Sequence, residues 1–183
     1  MKNRSLIIAT LLIAIAGFHC KREQYWQPDR KFANLQQTQP GFQITDLPEQ
    51  VETLVINLFA PNCPPCIEEL PELQKLYEKS QADEKLKFIA IGSHLDTVAD
   101  LEISRSDIIK TVGEFVQNEK IQYPVYIADQ TDIRALRVTG FPETFVLHRD
   151  KKSKFGWRLQ RKFISAIKLE QVLETPRNRS IYE

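Results

Sequence analysis

Residues 53–71 read TLVINLFAPNCPPCIEELP, and this stretch decides the fold. Its first seven residues are almost continuously apolar, which is typical of a strand buried on both faces of a mainly parallel sheet. A turn follows, and after Cys63 and Cys66 apolar residues recur every three or four positions, as in an amphipathic helix. Pro71 falls inside that helix and predicts a kink. The expected buried stripe of the helix consists of Ile67, Leu70, Leu73, Leu76 and Tyr77.

The rest of the chain continues this alternation of strands and helices. An edge strand is expected at residues 42–44, just before the central strand. The pattern further predicts strands at residues 86–92, 124–128, 143–148 and 155–164, and helices at residues 104–119, 132–138 and 165–174. Ser104 is a candidate N-cap, since Asp107 follows three residues later. Strands separated by helices, with a final hairpin and helix, indicate an α/β fold with a central mixed sheet flanked by helices.

Composition narrows the class of protein. The chain of 183 residues carries 25 basic and 24 acidic side chains, so nucleic-acid binding through bulk positive charge is not expected. A hydrophobic fraction of 42% supplies enough apolar material for a core and argues against intrinsic disorder. One folded domain is the simplest organisation for this length.

The N-terminus has the pattern of an export signal. Lys2 and Arg4 precede an apolar run at residues 6–18, which is shorter than the roughly 20 residues of a membrane-spanning helix. A basic start, a short apolar centre and small residues near the end predict a signal peptide at residues 1–19. A buried N-terminal core helix is the alternative, although the run has no polar face.

Cys20 follows this run directly. The segment AGFHC resembles the end of a bacterial lipoprotein signal, in which the cysteine is lipidated and becomes the first mature residue. His19 departs from that pattern, because a small residue is expected there. Cleavage after Ala16 and retention of the segment as a weak anchor remain alternatives.

The polar residues after Cys20 are interpreted as a tether. Residues 20–41 show no convincing helical or strand period, and a coil of this length spans about 25 Å. The tether would hold a domain at residues 42–174 just off a membrane, on the exported, periplasmic or cell-envelope side. Residues 175–183 are predicted to form a flexible tail.

Cys63 and Cys66 are the only cysteines after Cys20. They lie where a buried strand ends and a helix begins, and the partial positive charge of a helix start favours a thiolate at Cys63. Cys66, one turn later, is placed to resolve a mixed disulfide. Two other interpretations stay open: half of a zinc site, for which His94 and His148 show no ligand spacing, and a static disulfide, which would stabilise little across so small a loop.

The segment LFAPNCPPCIEELPEL at residues 58–73, together with GFPETF at residues 140–145, resembles the thioredoxin superfamily. The similarity is greatest to its TlpA-like/ResA-like branch of extracytoplasmic thiol–disulfide oxidoreductases and extends over the whole predicted domain. Pro71 matches the kink proline of the active-site helix. Asn57 lies where thioredoxin carries a buried acid. The resemblance implies a thioredoxin-like fold with a helical insert at residues 95–122, between the active-site helix and the cis-proline strand.

The resemblance also implies roles for individual residues. Cys63 would be the attacking cysteine and Cys66 the resolving one. Pro142 would be the cis-proline that faces the disulfide, and the backbone of Phe141 would pair with an incoming peptide. Asn62 stands where the family usually has a tryptophan, next to the bound client. No cofactor beyond the Cys63–Cys66 disulfide is implied, and no metal.

The direction of electron flow is inferred from charge. Glu68, Glu69 and Glu143 are expected near Cys63, and nearby negative charge raises the pKa of a thiol. A poorly stabilised thiolate favours the disulfide form, so the pair is predicted to act as a reductant. His94, at the end of a predicted strand, is a candidate proton acceptor near Cys66.

The expected partners follow from this interpretation. They are an exported client protein with a disulfide, an upstream reductant and the membrane, reached through a lipid anchor, with no nucleic acid. The resemblance suggests cytochrome c maturation first, because haem-binding cysteines must be reduced before attachment. The alternatives are a copper-binding or copper-delivery protein on the same fold and a lipid-anchored, non-catalytic binding module.

Overall fold

The computed structural model describes residues 30–36, 40–99, 101–153 and 155–163, together with Leu169 and Leu173. The predicted signal peptide, Cys20, the first part of the tether and the tail at residues 175–183 lie outside these described residues. So does the predicted last helix, except for Leu169 and Leu173, which pack on the core. Within the described ranges, every helix is too short or too polar to cross a membrane.

The described residues include six strands, one short 3-10 helix (Ile44–Asp46) and five α-helices. The strands are β1 (Ala33–Asn34), β2 (Thr53–Phe59), β3 (Leu86–Gly92), β4 (Val125–Ile127), β5 (Glu143–Arg149) and β6 (Trp157–Phe163). The helices are α1 (Pro64–Glu68), α2 (Leu70–Ala82), α3 (Leu95–Val98), α4 (Arg105–Asn118) and α5 (Gln130–Leu136).

The strands form one mixed sheet in the order β1-β4-β3-β2-β5-β6. Strands β2, β3 and β4 run parallel, whereas β5 pairs antiparallel with β2 and β6. All seven residues of β2 are buried, as its continuous apolar sequence predicts. The predicted α/β fold with a central mixed sheet is confirmed, and so is the final antiparallel hairpin.

Helices cover both faces of the sheet. Because side chains alternate along a strand, Val55 and Phe59 enter one core layer and Leu54 and Ile56 enter the other. The first layer contains the inner faces of α2 and α4, and the second contains α5. The first layer also contains both sulfurs of the Cys63–Cys66 pair.

The helix that follows β2 is broken, as Pro71 predicts. Glu69 ends α1 and begins α2, and Pro71 lies in the first turn of α2, where a missing N–H costs no hydrogen bond. The predicted apolar stripe is wrong at Ile67, whose side chain is 41% exposed. The stripe assumes one continuous helix axis, and the break at Glu69 removes Ile67 from the inner face of α2.

The helical insert is also confirmed. Helices α3 and α4 lie between β3 and β4, within residues 95–122. Ser104 caps α4, since its side chain accepts a hydrogen bond from the N–H of Asp107 over 3.1 Å.

The tether boundary at residue 41 is wrong. Phe32 is buried and exchanges two backbone hydrogen bonds of 2.8 Å with Phe42, and β1 pairs with β4. Arg30 donates to Asp132 over 2.6 Å. The chain from residue 30 therefore belongs to the domain. One bridge and a two-residue strand are too short to produce a period in the sequence. The edge strand expected at residues 42–44 is wrong beyond Phe42, because Ile44 begins a 3-10 helix (Ile44–Asp46).

Candidate active site

The two cysteines lie at the junction of β2 and α1. Asn62 precedes them with a φ of 60° and an exposed side chain, a left-handed conformation that asparagine adopts more readily than most residues. Cys63 is the N-cap residue of α1, and Cys66 lies one turn inside the helix. Both side chains are buried and joined by a disulfide, with their Cα atoms 5.2 Å apart. The structure therefore brings both predicted cysteines into one redox pair.

The first turn of α1 offers few hydrogen-bond donors to the sulfurs. Pro64 and Pro65 fill the first two helical positions and have no N–H. The next two N–H groups, those of Cys66 and Ile67, both bond to the carbonyl of Cys63, over 3.0 and 3.2 Å. A helix start normally presents free N–H groups to an anion, and the two prolines remove half of them here.

The loop before β5 lies against Cys63. The Phe141–Pro142 peptide bond is cis, and the carbonyl oxygen of Phe141 is 3.5 Å from Cys63 Sγ. Pro142 is buried, whereas Phe141 is half-buried and contacts both core layers. The structure thus gathers Cys63, Cys66, Phe141 and Pro142, and Asn62 lies next to Cys63 in the chain. Their roles in exchange remain predictions.

A buried acid lies on the inner side of the active-site helix. Glu69 follows Cys66 by three residues, at the junction of α1 and α2, and it is only 4% exposed. Asn57, two residues before the end of β2, donates its Nδ2 to Glu69 Oε1 over 2.9 Å and to Thr144 Oγ1 over 3.1 Å. This connects the junction of α1 and α2 with β2 and β5 through buried polar contacts.

The three acids expected near Cys63 have three different environments. Glu68 is exposed on α1, and Glu69 is buried. Glu143 is also buried, but its carboxylate accepts hydrogen bonds from the N–H and hydroxyl of Thr139, over 3.3 and 3.0 Å. Glu143 therefore holds the loop that leads to the cis-proline. Glu69 is the acid that the structure places under the active-site helix.

Sequence analysis did not identify Tyr123, which lies just before β4. Its side chain is buried, and burial raises the pKa of its hydroxyl far above the usual value, with a further contribution from the charge of Glu69. Its hydroxyl has no hydrogen-bond partner among the described residues. No local signal could have identified its burial, since that burial results from packing against Tyr77 and Phe88.

His94 and His148 each contact a neighbouring polar group. His94 accepts a hydrogen bond from the N–H of Asp96 over 3.2 Å and so caps α3, which does not support its predicted role as a proton acceptor. His148 lies 3.0 Å from the hydroxyl of Thr53, at the opposite end of β2 from Cys63 and about 20 Å away. His148 therefore cannot complete a metal site with the cysteines. Among the described residues, no group of three His, Cys, Asp or Glu side chains is arranged to hold a metal ion.

Comparison with known proteins agrees with this geometry. StoA from Bacillus subtilis is 17% identical, with a TM-score of 0.58, and the match covers 82% of this chain and 100% of that chain. A thiol:disulfide interchange protein from Chlorobium tepidum is 20% identical, with a TM-score of 0.56 and coverage of 80% and 91%. A secreted disulfide oxidoreductase from Mycobacterium tuberculosis is 14% identical, with a TM-score of 0.54 and coverage of 79% and 91%. These likenesses confirm the thioredoxin-like fold.

No curated protein matches the chain significantly. The family model described as Redoxin matches residues 27–153, which is more than half of the sequence. That match begins before residue 30, in agreement with the packing of Arg30 and Phe32 on the sheet. With a disulfide at a helix start on a thioredoxin-like fold, this chain belongs to the Redoxin family of the thioredoxin superfamily and is a thiol–disulfide oxidoreductase.

Proposed function

We propose that this protein is a membrane-tethered, extracytoplasmic reductant of protein disulfides. The proposal rests on the arrangement of groups around the Cys63–Cys66 disulfide. The pair begins a helix, a backbone carbonyl that can accept from a bound peptide lies beside Cys63, and a buried acid lies one turn after Cys66.

The first chemical step is attack by Cys63 in the dithiol form of the protein. Its thiolate attacks one sulfur of the client disulfide, a Cys63–client bond forms, and the second client sulfur leaves as a thiolate. Cys63 is the attacking residue because it stands at the outer end of α1, between the exposed side chains of Asn62 and Pro64.

The second step releases the reduced client. Cys66 gives up its proton, and its thiolate attacks Cys63 Sγ, which forms the intramolecular disulfide and frees the first client sulfur as a thiolate. Cys66 is buried and needs a base within the protein, and Glu69, three residues later and also buried, is the candidate. The client gains two electrons, and an upstream dithiol reductant must restore Cys63 and Cys66.

The local chemistry supports a reducing direction. Pro64 and Pro65 remove two N–H donors that would stabilise a Cys63 thiolate, and Glu69 adds negative charge beneath the pair. A less stable thiolate makes the dithiol form easier to oxidise. We expect a reduction potential closer to about −270 mV, as in thioredoxin, than to about −120 mV, as in a strong oxidase.

Client recognition is assigned to the surface around Cys63. The backbone of Phe141 can pair with an extended client segment, while Asn62, Pro64, Pro65 and Ile67 present exposed side chains on the other side of the sulfur. Three of these four side chains are apolar, so we expect clients whose cysteine lies in an accessible, partly apolar segment.

The location is proposed from the leader and from one structural relative. The export pattern at residues 1–19 and the lipoprotein-like Cys20 support a lipid anchor on the outer side of a membrane, and the M. tuberculosis relative is described as secreted. Because Arg30 and Phe32 pack on the domain, the tether shortens to residues 20–29. Cytochrome c maturation is the proposed pathway, with an exported protein that carries an oxidised cysteine pair as the client.

The test is trapping of the client in the producing cell. A Cys66→Ser variant keeps the attacking sulfur and lacks the resolving one, so it should accumulate a mixed disulfide that reducing agent releases. Mass spectrometry of the released partner then identifies the client. A Cys63→Ser, Cys66→Ser double variant is the matched control, and equal recovery of partners from both variants would contradict the proposal.

The reducing direction needs its own measurement. Equilibration with glutathione buffers gives the reduction potential of the wild type and of a Pro65→His variant. The imidazole can stabilise a Cys63 thiolate, so the variant should have a higher, more oxidising potential. A wild-type potential near −120 mV, or no shift in the variant, would contradict the proposed role of the two prolines.

A further inference from the structure

A side-chain contact bridges the base of the loop that lies against Cys63. Thr139 donates its hydroxyl to Glu143 Oε1 over 3.0 Å and its N–H to Glu143 Oε2 over 3.3 Å. Glu143 is only 2% exposed, whereas Thr139 lies at the surface. The two bonds join residues four positions apart, so they close the segment between them, which includes Phe141, into a small ring.

Strand β2 fixes one side of this bridge. Glu143 is the first residue of β5 and pairs with Leu58, the last residue but one of β2. The same strand leads directly into the turn that ends at Cys63. The backbone of Glu143 and the attacking sulfur are therefore both positioned by β2, and a residue that is bonded to Glu143 is held relative to that sulfur.

The end of α5 fixes the other side of the loop. The N–H groups of Arg137 and Val138 donate to carbonyls in the last turns of α5, over 3.0 and 3.1 Å. Arg137 has a φ of 54°, the left-handed conformation that commonly ends a helix. The next N–H, that of Thr139, points to the carboxylate of Glu143 instead. Thr139 is thus the residue at which the chain passes from the helix to the bridge.

Between these two fixed points, packing restrains only part of the loop. A Cβ at Gly140 would meet no other part of the described chain within 4 Å, and glycine has the least restricted torsion angles of all residues. The ring of Phe141 is half-buried and contacts both core layers, but ring contacts do not set the direction of its carbonyl. The bridge from Thr139 to Glu143 supplies the restraint that packing leaves out.

The direction of this carbonyl matters because it lies at the reaction centre. The oxygen of Phe141 is 3.5 Å from Cys63 Sγ. A client N–H that donates to this oxygen is brought beside the attacking sulfur, and a hydrogen bond weakens steeply when its donor and acceptor are misaligned. An acceptor that is held in the bound orientation before the client arrives reduces the entropy cost of binding.

We infer that Thr139, through its bonds to Glu143, is a positioning residue for the Phe141 carbonyl and makes the protein selective for disulfides carried by a peptide. The inference rests on the proposed function, in which the backbone of Phe141 pairs with the client. It adds that a side chain outside the redox pair sets the preference for peptide disulfides over small ones. A disulfide without peptide groups has no backbone N–H to donate, so its reaction with Cys63 does not use the positioned carbonyl.

The test compares two substrates with the wild type and with Thr139→Val. One substrate is a dimer of a linear peptide, joined by one disulfide between central cysteines, and the other is hydroxyethyl disulfide, which has no peptide group. Both are reduced by the same exchange, in which Cys63 attacks one sulfur and Cys66 then displaces it. The rate constant of the reduced, full mature protein with each substrate is measured in a single turnover.

We expect Thr139→Val to lower the rate constant for the peptide dimer about fivefold, and that for hydroxyethyl disulfide by less than about twofold. Thr139→Ser keeps the hydroxyl and should retain the wild-type ratio of the two rate constants. Thr111→Val is the matched control, because the hydroxyl of Thr111 donates over 2.9 Å to the carbonyl of Asp107 within α4, outside the loop. This control should also leave the ratio unchanged.

A second comparison asks whether the effect passes through the carbonyl of Phe141. Peptide dimers are made with an ester in place of one amide next to the cysteine, which removes one N–H donor from the client. The ester at the pairing position should slow the wild type about fivefold. Thr139→Val should show no further loss on that peptide, because both changes remove the same interaction.

Three results would overturn the inference: equal slowing of both substrates by Thr139→Val, an unchanged rate with the peptide dimer, or losses from the ester and the substitution that simply add. In each of them the wild type still reduces the peptide dimer, so the proposed function stands. Failure of the wild type to reduce either substrate would instead contradict the proposed function.

Discussion

The two ends of strands β2 and β5 bury polar groups in different ways. At one end Thr53 faces His148 across the strand pair, and at the other Asn57 faces Thr144. All four side chains are buried. The pairs share the same antiparallel register, so the geometry of the strands does not distinguish them.

At the end far from the disulfide, hydrogen bonds join segments that are distant in the chain. Thr53 Oγ1 lies 3.0 Å from His148 Nδ1. The next residue, Arg149, donates to the carbonyls of Val51 and Pro48 over 2.7 Å and stacks on Trp157 at 4.5 Å. This end fastens the segment before β2 to the hairpin.

At the end near the disulfide, the network includes the buried carboxyl group of Glu69. Asn57 bonds to Glu69 and Thr144 but leaves its Oδ1 without a protein partner among the described residues. Glu69, the proposed base for Cys66, belongs to this network, whereas the far end lies about 20 Å from Cys63. One end of the strand pair therefore stabilises the fold, and the other can support chemistry.

The largest expected effect is at the sulfur. Cys63→Ser should abolish reduction of insulin, because serine does not form the mixed disulfide. Unfolding by urea should show a folded protein, since the change replaces one atom at a helix cap. Residual turnover above that of a Cys63→Ser, Cys66→Ser variant would mean that another group attacks the client.

The next largest effect on the rate of exchange is expected at Glu69. Glu69→Gln should slow exchange about 10²-fold at pH 7, because Cys66 loses its base, and it should flatten the acidic side of the pH profile. Stability should change little, since the amide can still accept from Asn57. The neighbouring Glu68→Gln, on the exposed side of α1, serves as the control and should leave the rate unchanged.

A change at the end far from the disulfide should lower the stability of the protein and leave its activity unchanged. Arg149→Ala should lower the free energy of unfolding by about 2–3 kcal/mol, because two short hydrogen bonds and a cation–π contact are lost. Insulin reduction well below the thermal midpoint should stay at the wild-type rate. Arg149→Lys keeps the charge but not the guanidinium geometry and should give an intermediate loss.

The smallest effects compare the two strand pairs directly. Thr53→Val and Thr144→Val each remove one hydroxyl at nearly constant volume and should each cost about 1 kcal/mol of stability in urea unfolding. Only Thr144→Val should alter the pH dependence of exchange, since Thr144 holds the amide of Asn57. Identical pH profiles for both variants would remove the functional distinction between the two ends.

Much of the fold was predictable because its signals are local. The continuous apolar run of β2, the proline in the next helix and the cap at Ser104 each act on their own residues, and all three predictions are confirmed. The position of Cys63 and Cys66 at a helix start follows from the same local pattern.

The errors of sequence analysis concern contacts between distant segments. Phe32 looked like part of a tether because its bridge to Phe42 is a single pair. Ile67 fitted an apolar stripe that the break at Glu69 interrupts.

The order of residues along the chain was therefore enough to predict an α/β sheet, a redox pair at the end of its central strand and the chemistry of that pair. Those features depend on periodicity, on backbone restrictions and on the reactivity of thiols, which act over a few residues. The folded packing decided which of Glu68, Glu69 and Glu143 is buried. It also decided that Tyr123 packs against Tyr77 and Phe88. Burial and hydrogen bonding depend on which distant segments meet, and no local pattern contains that information.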